Sequence, residues 1–454
     1  MPVTIPSFKA YDIRGRLPDQ LNEDFVYRIA NATAQYLSAK RIVIGRDIRL
    51  SSGSLADACA QGLQDAGVEV LDIGLGGTEM VYYATGSLGA DGGIMITASH
   101  NPKDYNGLKI VRDGARPISA DSGLNDIQRL AESDDRLIAD EKGARTETEI
   151  SSSYIEHLLT YVDVPALNPM KIVVNAGNGG AGATLDRLAA HLPFEFVRLH
   201  HEADGHFPNG VPNPMLTENR RVTSEAVREH GADFGVAWDG DFDRCFLFDE
   251  HGGFIEGYYI VGLLATSILS GRDDNAGIVH DPRLTWNTVE LVEEARGRVI
   301  QSKSGHSFMK EVMREERAIY GGEMSAHHYF RDFYYCDSGM LPWMLVAELL
   351  SNSSAPLSEL VSARIARFPA SGEINRRVTD ASAVMQAIWE QYEPESRTSN
   401  KVDGISIEFE QWRFNLRASN TEPVIRLNVE SRGDNALMQQ KTEELLAAIG
   451  GDPA

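Results

Sequence analysis

Ile42-Val-Ile-Gly-Arg-Asp47 is a short apolar run that breaks into a polar loop. The chain writes the same phrase twice more, as Ile172-Val-Val-Asn-Ala-Gly177 and Gly277-Ile-Val-His-Asp-Pro282. Each is followed by a helical stretch, near Ser54–Ala66, Ala181–His191 and Thr288–Arg296. A second strand comes next (Val68–Ile73, Phe194–Leu199, Arg298–Gln301), and later a third (Gly93–Thr97, Phe234–Trp238, Ala318–Gly321). An internal repeat of this kind decides the fold before any single motif does. Strands alternating with helices predict βαβ units, and short, continuously apolar strands predict mostly parallel sheets buried on both faces. The fold class expected is α/β: three similar βα-repeat domains with mixed, mostly parallel sheets.

From about Pro369 the text changes. Gly404–Phe409 and Val424–Val429 read as strands joined through Arg417-Ala-Ser-Asn-Thr421, and Asn435–Ile449 carries apolar residues at helical spacing. This predicts a smaller α+β domain at the C-terminus. The boundaries fall near 147, 253 and 367, giving domains over 1–146, 147–253, 254–366 and 367–454.

Composition limits the function. The 454 residues are 42% hydrophobic and 24% charged, an ordinary globular balance. Lys and Arg number 43 against 66 Asp and Glu, a formal net charge of −23, which makes nucleic acid and anionic membrane surfaces poor partners. The three cysteines, Cys59, Cys245 and Cys336, are scattered and form no C-x-x-C, as expected of a reducing cytoplasm rather than a disulfide scaffold. Met1–Gly15 has no apolar core of a signal peptide, and Tyr258–Leu269 is shorter than the roughly 20 residues a membrane helix needs.

Ligands of parallel sheets bind beyond the carboxyl ends of the strands, so chemistry is sought just after the three third strands. There the chain reads Ala98-Ser-His-Asn-Pro102, Asp239-Gly-Asp-Phe-Asp-Arg244 and Gly322-Glu-Met-Ser-Ala-His327. Asp239, Asp241 and Asp243, turned by Gly240, offer three hard oxygen ligands that suit Mg²⁺. A solvated acidic turn is the plain alternative, but Arg244 is one counter-charge for three crowded carboxylates, and a cation accounts for them better. Ser99, exposed by the Asn101-Pro102 turn, reads as a nucleophile or as an ordinary Ser/Asn/Pro turn. Glu323, Ser325 and His327, at alternate positions of a loop read as extended, read as sugar-hydroxyl ligands or as a structural loop. Arg417, Ser419, Asn420 and Thr421 read as a phosphate cradle or a hairpin connection. Gly177-Asn-Gly-Gly-Ala-Gly182, with Glu202 further on, matches a dinucleotide fingerprint and admits a dehydrogenase. Its place away from the third strands favours a tight βα turn.

Taken together and in order, these loops and Phe8-Lys-Ala-Tyr-Asp-Ile-Arg-Gly15 resemble the α-D-phosphohexomutase superfamily across essentially the whole chain, most of all its bacterial phosphomannomutases of GDP-mannose biosynthesis. The resemblance implies four domains around a central cleft. It implies a cytoplasmic enzyme, monomeric or weakly homo-oligomeric, acting on hexose phosphates through a sugar 1,6-bisphosphate. Ser99 would be the phosphoserine, and Asp239, Asp241 and Asp243 would hold one Mg²⁺ together with Ser99. His100, Lys109 and Arg244 would serve the transfer, with His100 and Lys109 the candidate general bases. Tyr11, Arg14, Asn101, Arg283 and His306 would line the substrate. Glu323, Ser325 and His327 would read sugar hydroxyls, and Arg417, Ser419, Asn420 and Thr421 would bind the distal phosphate. Ala326 stands where many relatives have glycine, which leaves the choice between mannose and glucose, or both, open. A dehydrogenase and a non-catalytic sugar-phosphate sensor are the remoter readings.

Overall fold

In a computed structural model, residues 3–272, 274–418 and 424–454 are described. They fold as two compact units. The first runs to Phe254 and resumes over His327–Ser354; the second comprises Ile255–Ala326 and Ala355–Ala454.

The first unit opens with strand β1 (Ile13–Arg16) and helix α1 (Glu23–Leu37). Asn22 caps α1, its side chain accepting from the Phe25 amide, and Glu23 and Asp24 favour the positive helix start. Strand β2 (Arg41–Arg46), helix α2 (Ser52–Asp65), strand β3 (Glu69–Leu75), helix α3 (Thr78–Ser87) and strand β4 (Gly92–Ile96) then realise the first repeat. Both β3 and β4 pair in parallel with β2, and β5 (Tyr105–Arg112) returns antiparallel against β4. All five residues of β4 are buried, as its unbroken apolar run requires.

The second repeat uses the same plan. Lys171–Asn175 lies between the parallel strands Glu195–Leu199 and Phe234–Trp238, and Cys245–Phe248 adds antiparallel. In the second unit, Gly277–His280 likewise lies between the parallel strands Arg298–Gln301 and Tyr320–Gly322. In all three repeats, therefore, the first strand sits between the second and the third. The apolar run read from Tyr258 is a buried helix, Gly257–Leu269. Among the described residues no helix is long and apolar enough to cross a membrane, and all three cysteines are buried and free.

The C-terminal part is an antiparallel sheet over which Ala381–Tyr392 and Asn435–Ile449 pack, sharing a core of Ile405, Phe414, Leu427 and Leu445. One expectation is corrected here. The segment between the two strands read from the sequence contains a strand of its own, Trp412–Ala418, so Arg417 is a strand residue set directly opposite Arg426 rather than part of a connection. Buried Trp412, Phe414 and Leu416 alternate along it with polar side chains, some of them also buried, which obscures the period-2 signal.

Candidate active site

β4 delivers the chain to the serine loop. Thr97 Oγ1 accepts from the Ser99 amide at 2.9 Å, and Ser99 takes φ = +46°. That left-handed conformation costs an L-residue about 1–2 kcal/mol and persists where the surroundings over-determine it. Ser99 is 4% exposed. Its hydroxyl donates to Asp239 Oδ2 at 2.7 Å, and Oγ lies 3.0 Å from His100 Nδ1. Arg244 Nη2 donates to the same Oγ at 3.3 Å.

The buried strand Phe234–Trp238 delivers the aspartate loop, turned by Phe242 at φ = +44°. A Cβ at Gly240 would stand 2.5 Å from the Ser99 carbonyl oxygen, so glycine is what lets this loop lie on the serine loop. Asp239 accepts from Arg244 Nε at 3.0 Å and Nη2 at 2.8 Å. Asp241 accepts from Lys109 at 2.8 Å and from the Thr78 hydroxyl at 2.5 Å, and Asp243 accepts from Lys109 as well. Lys109 stands on β5, opposite Met95 of β4.

Three carboxylates, each no more than 1% exposed, thus face two cations. Their oxygens come within 4.8 Å of one another, and Asp241 Oδ1 and Asp243 Oδ1 are buried without a hydrogen-bond partner. Burial pushes Asp243 well above the ordinary carboxylate range, and the Asp241 charge adds to it. Burial acts on Asp241 in the same sense, but the Lys109 ammonium overrides it and holds that carboxyl low. Burial also opposes the Lys109 charge; Asp241 and Asp243 outweigh it and hold the amine above the usual lysine range. Unused, buried, oxygen-only ligands beside an uncompensated negative charge fit a hard divalent cation such as Mg²⁺.

His100 is its opposite. Burial and the Arg244 and Arg14 guanidiniums push its imidazole well below the usual range, so it is neutral. Arg14, on β1, donates to Asn101 Oδ1 at 2.5 Å and to Asp12 at 2.6 Å, and Tyr11 is half-buried just before that strand. His327 Nε2 stands 3.8 Å from Asp243 Oδ1, where Asp243, His327 and Asp337 form a second cluster of ligand-type atoms.

In the second unit, Arg283 follows the strand Gly277–His280 and is 4% exposed. It donates to Asp281 at 2.6 Å and reaches Glu323 and Ser325, each at 3.4 Å. Glu373 lies 3.5 Å from Arg283 and accepts from Arg417 at 3.1 Å and Arg426 at 3.2 Å. The loop read as extended is a turn, closed by the Ala326 amide on the Glu323 carbonyl at 3.0 Å, with Ala326 at φ = +68°. That conformation explains why glycine suits this position. Glu323 and Ser325 therefore serve Arg283, while His327 stands by Asp243. His306 opens the helix His306–Glu315, half-buried. Ser419, Asn420 and Thr421 lie outside the described residues.

The glycines of 177–182 are filled by the protein itself. A Cβ at Gly177 would meet Pro212 at 2.3 Å, one at Gly179 the Gly240 carbonyl at 2.9 Å, and one at Gly182 the His201 carbonyl at 2.3 Å. They make a tight βα turn, without the open backbone a dinucleotide requires. Sequence reasoning missed Thr78, whose place at the start of α3 carries no motif. It also missed Asp47 and Arg49, although their position directly after β2 was a signal.

Four family models match the chain in order: phosphoglucomutase/phosphomannomutase alpha/beta/alpha domain I over residues 6–137, domain II over 152–253, domain III over 256–368 and the C-terminal domain over 373–447. The chain belongs to the phosphoglucomutase/phosphomannomutase family. It is an enzyme, a phosphosugar mutase built of three α/β/α domains and a C-terminal domain. It is 58% identical over 449 residues to the phosphohexose mutases of Xanthomonas campestris pv. campestris, covering 99% of this chain and 100% of that protein. A phosphomannomutase of Escherichia coli is 58% identical over 450 residues, covering 97% of this chain and 98% of that one. Among solved structures, a family protein from Burkholderia thailandensis superposes with a TM-score of 0.89 at 30% identity, covering 99% of each chain.

Proposed function

We propose that this enzyme interconverts mannose 1-phosphate and mannose 6-phosphate through a hexose 1,6-bisphosphate, with Ser99 carrying the phosphoryl group. The observation that carries the reading is Ser99 Oγ, held 2.7 Å from Asp239 between the serine and aspartate loops. The mannose assignment rests on the relatives named phosphomannomutase.

In the first half-reaction the P–Oγ bond of phosphorylated Ser99 breaks as a bond forms from phosphorus to a sugar hydroxyl oxygen. The sugar hydroxyl gives up its proton and Ser99 Oγ regains one. The second half-reaction reverses this at the other end of the bisphosphate. Ser99 then loses its proton; Asp239 Oδ2, which accepts from the hydroxyl at 2.7 Å, and neutral His100, whose Nδ1 lies 3.0 Å from Oγ and also faces Arg244 Nη2, are the groups placed to receive it. Lys109, held as an ammonium by two aspartates, supplies charge rather than basicity. Asp239, Asp241 and Asp243 would hold Mg²⁺, whose charge offsets the oxygens of the transferring group. Arg244 reaches Oγ directly and adds a further positive charge. Glu323 and Ser325 are assigned to sugar hydroxyls, His327 to the sugar beside Asp243, and Arg283 and Arg417 to the substrate's anionic groups. Tyr11, Arg14, Asn101 and His306 complete the substrate contacts.

The test is turnover of mannose 1-phosphate and glucose 1-phosphate side by side, with Mg²⁺ and a trace of the matching bisphosphate. A clear preference for mannose is expected. Equal rates would make the enzyme dual-specific, and a preference for glucose would overturn the mannose assignment.

A further inference from the structure

Arg49 belongs to none of the groups assigned so far, yet it gathers the whole serine loop. It is 3% exposed and follows β2. Nη2 donates to the carbonyls of Ser99 at 3.0 Å and Asn101 at 2.6 Å; Nη1 donates to those of Pro102 at 2.8 Å and Tyr105 at 3.0 Å. One planar guanidinium therefore satisfies four carbonyls from a seven-residue span. Its own place is fixed from behind. Asp47 lies 3.4 Å from Nε and accepts from the Arg49 amide at 3.0 Å and the Ser52 hydroxyl at 2.5 Å, which ties the clamp to the start of α2. The Phe207 ring lies under the guanidinium, 5.4 Å from its centre.

We infer that Arg49 is the positioning residue for the phosphoryl-carrying serine, an inference that rests on the mutase reading of Ser99. The left-handed backbone at Ser99 relaxes unless its carbonyl is held, and that carbonyl is caught between Arg49 Nη2 and the close approach of Gly240. Releasing it rotates Oγ away from Asp239. The guanidinium donates to loop carbonyls, so Arg49 acts on Ser99 through the loop backbone. Lysine cannot replace it: an ammonium has three donors, no planar fork, and cannot serve two pairs of carbonyls at once.

The consequence is a split between rate and binding, because displacing a reacting atom by about 1 Å costs roughly 10²-fold in rate. The experiment measures steady-state kinetics of Arg49→Lys and Arg49→Ala on mannose 1-phosphate and glucose 1-phosphate, with Ser99→Ala and wild type alongside. Each kcat is normalised to the protein that remains folded by circular dichroism. Arg49→Lys is expected to lose about 100-fold in kcat with KM within about threefold of wild type. Guanidinium ion at millimolar concentration is expected to restore at least tenfold of the Arg49→Ala loss, and to leave wild type and Ser99→Ala unchanged. Wild-type kcat in Arg49→Lys overturns the inference. So does a loss that tracks the unfolded fraction, or one that falls equally on KM. If Arg49→Ala does not fold, Arg49→Lys still decides. Failure of the mutase reading is separate: wild type would turn over neither sugar, or Ser99→Ala would turn over normally.

Discussion

The two charged clusters of this enzyme are built on opposite principles. Around Ser99, three buried aspartates face the charges of Lys109 and Arg244, and Asp241 Oδ1 and Asp243 Oδ1 have no hydrogen-bond partner. Around Glu373, the carboxylates of Asp281, Glu323 and Glu373 face the guanidiniums of Arg283, Arg417 and Arg426, a charge-balanced network. Arg417 and Arg426, directly opposite on paired strands, would repel each other, and Glu373 bridges them. The first cluster carries surplus negative charge that a cation would offset; the second is balanced in charge, although Nε of Arg283 and of Arg417 are buried there without a hydrogen-bond partner. An excess of buried charge thus marks the place of chemistry more clearly than the number of charged residues does.

The largest effect tests the first cluster at its centre. Ser99→Ala is expected to lower turnover by at least about 10⁴-fold while hexose-phosphate binding, read by calorimetry, stays within a few-fold of wild type. Asp243→Asn removes one surplus charge. Turnover should fall by about 10²–10³-fold, and in chelator the variant should melt no lower than wild type, because a buried carboxylate repelled by Asp241 has been neutralised. Wild type should lose activity in chelator and recover it on adding Mg²⁺.

Glu373→Gln is the mirror experiment. It unbalances a balanced set and should destabilise the fold by about 3–5 kcal/mol in chemical denaturation, the cost of removing one partner from a buried ion network. If Asp243→Asn and Glu373→Gln shift stability alike, the contrast between the clusters is wrong.

The smallest effect concerns Glu79, buried within the first unit, where it accepts from Tyr154 and from the Gly339 and Met340 amides. Burial outweighs these bonds and pushes its carboxyl up to about 7. The folded state thus binds a proton that the unfolded state has already released between about pH 4.5 and 7. This contribution is fully present below about pH 4.5 and is lost as pH rises through 7, up to roughly 3 kcal/mol in all. Glu79→Gln should flatten that part of the stability–pH curve, and an unchanged slope would remove Glu79 as its source.

Much of this was legible along the chain because parallel strands are written as continuous apolar runs. All three repeats, the final helix and the serine and aspartate loops are legible in the order of residues alone. The strand Trp412–Ala418 escaped because polar residues are buried along it, and the turn at Ala326 escaped because only a positive φ reveals it. Arg49 and Thr78 escaped because their partners lie far away in sequence, at the Ser99 carbonyl and at Asp241.

What the sequence determined by itself was the repeat, the order of the loops and the residue types each loop carries, since periodicity and local turn chemistry are properties of neighbours in the chain. Tertiary structure alone decided which carboxylates share a charge and which keep an unused oxygen. It also decided that Lys109 stays charged while His100 stays neutral, and that a single arginine holds the serine loop. Those outcomes depend on burial and on distances of a few ångströms between residues as many as 163 positions apart, which no local pattern encodes.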